Sequence, residues 1–220
     1  MSFLNTIING ILNTIFPVYC VSCGTAGVDL CAVCISEFPR AERETTKWIF
    51  PLFDYRHPPI KKALWLFKYK GKKKLANVFA EILYGRILEE LSDLLVMENF
   101  RAPILIPIPL SQKRYRERGY NQAELICQEL IRLDSEKDFR LEKNVLIKPQ
   151  ETEHQAHIKD RNLRLKNLSG SFLSKETSLI KNRNIILIDD ITTTGATLAE
   201  ARKTLRLAGA RKIIAFTIAH

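Results

Sequence analysis

The stretch from Asn184 to Ala208 constrains this chain more than any other. Ile185-Ile186-Leu187-Ile188 is an unbroken aliphatic run. It is too short for a helix and lacks polar alternation, the pattern of a strand covered on both faces of a parallel sheet. Asp189 and Asp190 end the run, and Ile191-Thr192-Thr193-Thr194-Gly195-Ala196-Thr197 follows. From Thr197 to Leu207 the apolar residues return at spacings of three and four, and Gly209 stops them. Strand, loop and helix in that order predict an α/β unit whose loop leaves the carboxyl end of a buried strand.

The loop has the parts of a phosphate site. Successive backbone N–H groups, the hydroxyls of Thr192, Thr193, Thr194 and Thr197, and the positive end of the next helix all favour a dianion. Gly195 allows close approach or positive φ. The acids cannot hold that phosphate, but a carboxylate accepts hydrogen bonds from a sugar's vicinal hydroxyls well. A phosphorylated sugar is the ligand these parts imply. The plainer alternative is an acidic, threonine-capped turn into a helix, since Asp and Thr are ordinary capping residues. Two acids and three threonines exceed what a cap requires.

Four of the five cysteines form two close pairs, Cys20-Val21-Ser22-Cys23 and Cys31-Ala32-Val33-Cys34. Each pair puts two thiolates on one turn, and two turns supply the four sulfurs of a tetrahedral zinc site. Such a site is structural, because four protein ligands leave no position for substrate. Paired disulfides or free core thiols are the alternatives. Cys127 lies on an apolar helical face and reads as core.

The formal net charge is +10, with Lys and Arg clustered at Lys61-Lys62, Lys68 to Lys74, Lys113 to Arg118, Lys159 to Lys166 and Arg202 to Lys212. That excess suits a polyanion, whether pyrophosphate or nucleic acid, although a solvated basic face explains any one cluster. No stretch is long and apolar enough to cross a bilayer, and the start of the chain has no basic region followed by a small-residue cleavage site. The expected setting is cytoplasmic, without membrane insertion.

Along the rest of the chain, Phe3 to Phe16 reads as an amphipathic helix that packs on the body or on a second subunit, so a homodimer stays open. Phe50 to Tyr55 reads as a strand and Ile60 to Phe67 as a helix start. A long amphipathic helix then runs to about Leu95. Ile104 to Leu110 reads as a second strand ended by prolines. Ser111 to Gly119 reads as a basic loop carrying Arg116 and Arg118, whose guanidinium forks suit a pyrophosphate. A helix opens at Tyr120. Val145 to Ile147 is a third short strand, Pro149 to Asp160 a polar loop, and Lys212 to Ile218 a last strand. His57 reads as a surface residue in a turn, and Trp48 and Trp65 as core, with stacking on bases as the alternative. Residues 1–45 are expected to form a helix and a cysteine ribbon, and 46–220 an α/β domain with a parallel sheet flanked by helices.

The run Ile186 to Thr197 resembles the phosphoribosyl pyrophosphate (PRPP) motif of type I phosphoribosyltransferases. With the two Cys-x-x-Cys pairs, Lys68-Tyr69-Lys70-Gly71, Ile106-Pro107-Ile108-Pro109-Leu110, Arg116-Glu117-Arg118-Gly119-Tyr120-Asn121-Gln122-Ala123-Glu124 and Arg164-Leu165-Lys166-Asn167, the chain is similar to the ComF family over nearly its whole length. The resemblance implies a zinc ribbon on a type I phosphoribosyltransferase fold and a role in natural transformation, handling incoming single-stranded DNA alongside other competence proteins. It implies that Asp189 and Asp190 serve as the catalytic acids on ribose hydroxyls, and that Ile191, Thr192, Thr193, Thr194, Gly195, Ala196, Thr197, Arg116 and Arg118 bind PRPP with Mg²⁺. It also implies structural zinc on Cys20, Cys23, Cys31 and Cys34. The alternative activity is an Mg²⁺-dependent phosphoribosyltransferase of nucleotide metabolism or salvage, of the amidophosphoribosyltransferase kind.

Overall fold

The computed structural model describes residues 18–42, 46–149 and 170–220. The predicted helix over Phe3 to Phe16, nearly all of the polar loop from Pro149 to Asp160, and Arg161, Arg164 and Asn167 lie outside the described residues.

Five strands form one wholly parallel sheet: β1 (Ile49–Phe53), β2 (Ile104–Pro107), β3 (Arg140–Leu141), β6 (Asn184–Ile191) and β7 (Lys212–Ala219), in the spatial order β1-β7-β6-β2-β3. β6 is the central strand. Its alternate residues go to opposite faces, as the pleat requires. Ile186 and Ile188 join Ile214, Phe216 and Ile218 of β7 and Leu105 of β2 in one core, while Ile185 and Leu187 join Ile213, Ala215, Ile104 and Ile106 in the other. The aliphatic run is therefore continuous because both faces are covered, as expected for a central parallel strand.

Helices supply the two covers. The first core is closed by α2 (Pro58–Tyr69), α3 (Leu75–Glu98) and α5 (Gln122–Leu133), and the second by α6 (Ala196–Leu207). Pro58 and Pro59 open α2, where a missing N–H costs nothing and φ is already set for a helix. A short pair, β4 (Leu146–Ile147) and β5 (Leu173–Ser174), lies apart from the main sheet and is antiparallel.

Several local expectations change. The basic segment Ser111 to Gly119 is not a loop but a helix, α4 (Gln112–Arg118): the Ser111 hydroxyl accepts the Arg114 N–H at 3.4 Å, and Gly119 ends it at φ 74°. Its residues are polar throughout, so there was no apolar period to betray it. The strand at Leu146 belongs to the small antiparallel pair, and the outer position of the main sheet is taken by the two residues of β3, too short for any pattern. His57 is not a plain surface residue. It sits at the start of α2 with its ring 4.6 Å from that of Phe38. Trp65, on α2, is 48% exposed, while Trp48 is half-buried beneath the Arg202 guanidinium at 4.5 Å.

The cysteine segment, which includes α1 (Ala32–Glu37), packs on this body. Cys20, Leu30, Cys34 and Phe38 belong to the first core, and Lys72 pairs with the buried Asp29 at 3.1 Å. The four thiols converge, with all sulfurs within 4.8 Å of one another. The Cys31 sulfur lies 3.7 Å from that of Cys20 and 3.6 Å from that of Cys23. A tetrahedron of about 2.3 Å metal–sulfur bonds has edges of about 3.8 Å, so the cluster fits a metal such as zinc. The Cys31 N–H also donates to the Cys20 sulfur at 3.4 Å, the kind of support that orients a thiolate ligand. Cys127 is fully buried in the core, with its thiol held well above the usual range by desolvation. Elemental analysis of the purified protein should find one metal ion per chain. Its removal by a strong chelator, or Cys31→Ser, should lower the melting temperature by several degrees. Metal-free protein with an unchanged melt after chelation would refute the cross-link.

Candidate functional site

The sheet's connections diverge at one place. From β2 the chain passes through α4 and α5 to β3 on one side, and from β6 through α6 to β7 on the other. α5 lies over the first core and α6 over the second. The carboxyl ends of β2 and β6 are thus the point where crossovers part, and parallel sheets open a crevice for ligands there. The register sets Pro107 beside Ile188, and the Ile108 N–H donates to the Ile188 carbonyl at 2.9 Å. Asp189 and Asp190 are the first polar side chains beyond that line.

The turn after them is held at both ends. Thr192 is buried and its N–H donates to the Ala219 carbonyl at 3.0 Å, while Thr193 and Thr194 are exposed. The Thr193 carbonyl accepts from the His220 ring at 2.8 Å, which ties the loop to the end of β7. Gly195 precedes α6 with φ 70° and no side-chain cap. A Cβ there would sit in a backbone region that L-residues rarely enter and would stand 3.1 Å from Cδ1 of Ile49, which would have to shift by a few tenths of an ångström, so the backbone conformation favours glycine. Ala196 and Thr197 lie in the first turn of α6, whose amides have no carbonyl partner within the helix. The Thr194 hydroxyl takes the Ala196 N–H at 3.4 Å.

The two acids have different surroundings. Asp190 is buried and forms an ion pair with Lys68 of α2, Nζ to Oδ1 3.0 Å. Asp189 is half-buried, and one of its oxygens accepts the Asp190 N–H at 2.8 Å. Burial above all, and then the neighbouring charge of Asp190, push its carboxyl up to about 7, against the opposing fields of Lys68 and Arg114.

Of the two arginines singled out by sequence, Arg116 is exposed on the last turn of α4, and Arg118 is folded back. Arg118 donates to Gln122 Oε1 at 2.8 Å and to the Tyr69 hydroxyl at 3.4 Å, with its guanidinium 5.1 Å from the centre of the Tyr69 ring. Tyr120 donates its hydroxyl to the Phe67 carbonyl, and Asn121 caps α5 while its amide reaches the Ile108 carbonyl at 3.0 Å. The Arg-Gly-Tyr-Asn-Gln block therefore binds α5 to the end of α2, and α2 in turn delivers Lys68 to Asp190. Lys68 and Arg114 were missed as site residues by sequence reasoning. Both sit in ordinary basic runs, and only the packing of α2 and α4 shows which cation meets the acids.

No protein-family model matches the chain. It is 30% identical over 203 residues to Competence protein F of Haemophilus influenzae, covering 90% of this chain and 82% of that protein. Competence protein ComFC of Bacillus subtilis is 33% identical over 160 residues, 72% of this chain and 59% of that one. DNA utilization protein YhgH of Escherichia coli is 26% identical over 197 residues, 88% and 80% of the two chains. Among solved structures, a hypoxanthine phosphoribosyltransferase from Staphylococcus aureus is similar at 14% identity and a TM-score of 0.36, covering 66% of this chain and 63% of that one, a likeness too slight to carry weight alone. With its cysteine cluster, parallel sheet and a competence protein matched over most of both lengths, the chain belongs to the ComF family.

Proposed function

We propose that this protein binds PRPP at the carboxyl end of β6 and uses that site in DNA uptake, where incoming single-stranded DNA is handled in the cytoplasm. The observation that carries the binding reading is the sequence of parts at one switch point: paired acids, a threonine turn and the glycine-opened start of α6. In this reading the amides and hydroxyls from Thr192 to Thr197 hold the 5′-phosphate, Asp189 and Asp190 take the ribose hydroxyls, and the exposed Arg114 and Arg116 of α4 meet the pyrophosphate, with Arg118 bracing α2 behind them. Magnesium would accompany the ligand and supply charge neutralisation for its phosphates. The four-cysteine cluster would hold zinc as a structural cross-link, away from any chemistry.

The nucleic-acid reading rests on a different surface. Trp65 and Tyr69 lie one turn apart on α2, are 48% and 58% exposed, and have ring centres 6.5 Å apart. Lys70 stands over the Trp65 ring at 5.2 Å, and Arg118 over Tyr69. Lys61, Lys62, Lys73 and Lys74 are exposed nearby in sequence. Aromatic faces interleaved with cations suit stacked, unpaired bases and a phosphate backbone. The H. influenzae relative is named for competence and the E. coli one for DNA utilization, which agrees with this use. No helix among the described residues is long and apolar enough to cross a membrane.

Three outcomes are expected. Calorimetry with Mg²⁺ and PRPP should show one site per chain, with affinity lowered at least tenfold by Thr194→Ala or Asp190→Asn; heats indistinguishable from dilution would refute the reading. A carboxyl raised from 3.8 to about 7 by folding costs the folded state stability as pH climbs through that interval. Asp189→Asn should therefore stabilise the protein at pH 8 and gain little at pH 4, as read by urea unfolding, and a gain independent of pH would contradict the assignment. Binding of a single-stranded oligonucleotide should weaken steeply with added salt and lose about 1–3 kcal/mol in Trp65→Ala. Salt-insensitive binding, or none, would remove the DNA surface.

A further inference from the structure

We propose that Lys68 is an exchangeable arm of the site. It holds Asp190 while no ligand is bound and gives its ammonium to the diphosphate when a ribosyl diphosphate enters, so that the site selects for the diphosphate and not merely for a phosphorylated pentose. The proposal rests on the PRPP reading above and adds a residue that reading does not use.

The ion pair is close and sheltered. Lys68 Nζ is 3.0 Å from Asp190 Oδ1, and the two side chains are 16% and 10% exposed. Both partners are anchored at their backbones. Asp190 is in the central strand, and Lys68 is in the last turn of α2, where a helix terminus favours a cation. Phe67, the residue before it, is fully buried, has its ring tilted against that of Phe79 with centroids 5.7 Å apart, and receives the Tyr120 hydroxyl on its carbonyl. Tyr69, the residue after it, is held by Arg118. The main chain is thus fixed on both sides of a side chain that is itself an unbranched, flexible stem carrying a point charge.

The chemistry of the ligand supplies the exchange. A sheltered carboxylate left without a counter-ion is costly, so Asp190 keeps Lys68 until another donor arrives. A ribose hydroxyl is such a donor but carries no charge, and if it takes the carboxylate the ammonium needs a new anion. In a ribosyl diphosphate that anion stands on C1, the carbon next to the C2 hydroxyl, within a short swing of the lysine stem. A ribose 5-phosphate has no group there, so it must compete with the existing ion pair and gains nothing from Lys68.

The test compares PRPP with ribose 5-phosphate by calorimetry in Mg²⁺, using the full chain. Lys68→Met should weaken PRPP binding roughly ten- to hundredfold, the value of a charge-assisted hydrogen bond. Ribose 5-phosphate should bind as before or more tightly. Lys68→Arg, which keeps the charge, should retain the preference for PRPP. Because Lys68→Met leaves a sheltered charge unpaired and could impair folding, the double variant Lys68→Met/Asp190→Asn is measured as well, and it too should lose the preference. Equal losses for both ligands, no loss for either, or a double variant that prefers PRPP by the wild-type margin would overturn the exchange while leaving the PRPP site standing. Wild-type protein that binds neither ligand would end both readings together.

Discussion

The whole arrangement depends on burying β6 on both faces. A strand in the middle of a parallel sheet has no solvent side, so its residues must be apolar until the sheet ends, and the first charges it carries emerge at its carboxyl edge. Ile185 to Ile188 satisfy the burial, and Asp189 and Asp190 mark its limit. The neighbouring strands bring the rest to the same edge. β2 ends beside Ile188, β7 runs on to support the threonine turn, and β1 sets Ile49 against Gly195. A polar substitution within the run would therefore disturb the sheet and the site at once.

Two like charges at the end of a buried strand create an electrostatic problem, which the fold answers unequally. Asp190 receives a cation from another element, while Asp189 is satisfied by a backbone N–H and shifted upward by desolvation and by its neighbour. The cation comes from α2, and α2 is held in place by the Tyr120 hydroxyl and by the contact of Arg118 with Tyr69. Much of the Arg-Gly-Tyr-Asn-Gln block thus works as a brace. Arg118 shares its guanidinium between Gln122 and Tyr69, while Lys113, Arg114 and Arg116 stand exposed on α4.

Legibility in the sequence followed the range of the interaction. The buried strand, the threonine turn, the glycine before α6 and the two cysteine turns are all local, and each could be read from consecutive residues. The four-sulfur cluster needed only two such turns to meet. The basic helix α4 was misread because a fully polar segment has no period, although Ser111 and Gly119 were available as cap signals. β3 was missed because two residues make no pattern, and its place in the sheet is set by β2 rather than by its own composition. Trp65 went against the usual burial of tryptophan because the exposed side of α2 presents it with Tyr69 to solvent.

By itself the sequence determined the fold class, the acid pair, the threonine turn and the four-cysteine cluster, since hydrophobic period, turn chemistry and cysteine spacing act over a few residues. Tertiary structure alone decided which of the many lysines and arginines faces the acids, why burial pushes the Asp189 carboxyl up while Asp190 is paired with Lys68, and that α2 and α5 are bolted together behind them. Those outcomes depend on distances between elements far apart in the chain, where a shift of a few ångströms exchanges an ion pair for a solvated charge.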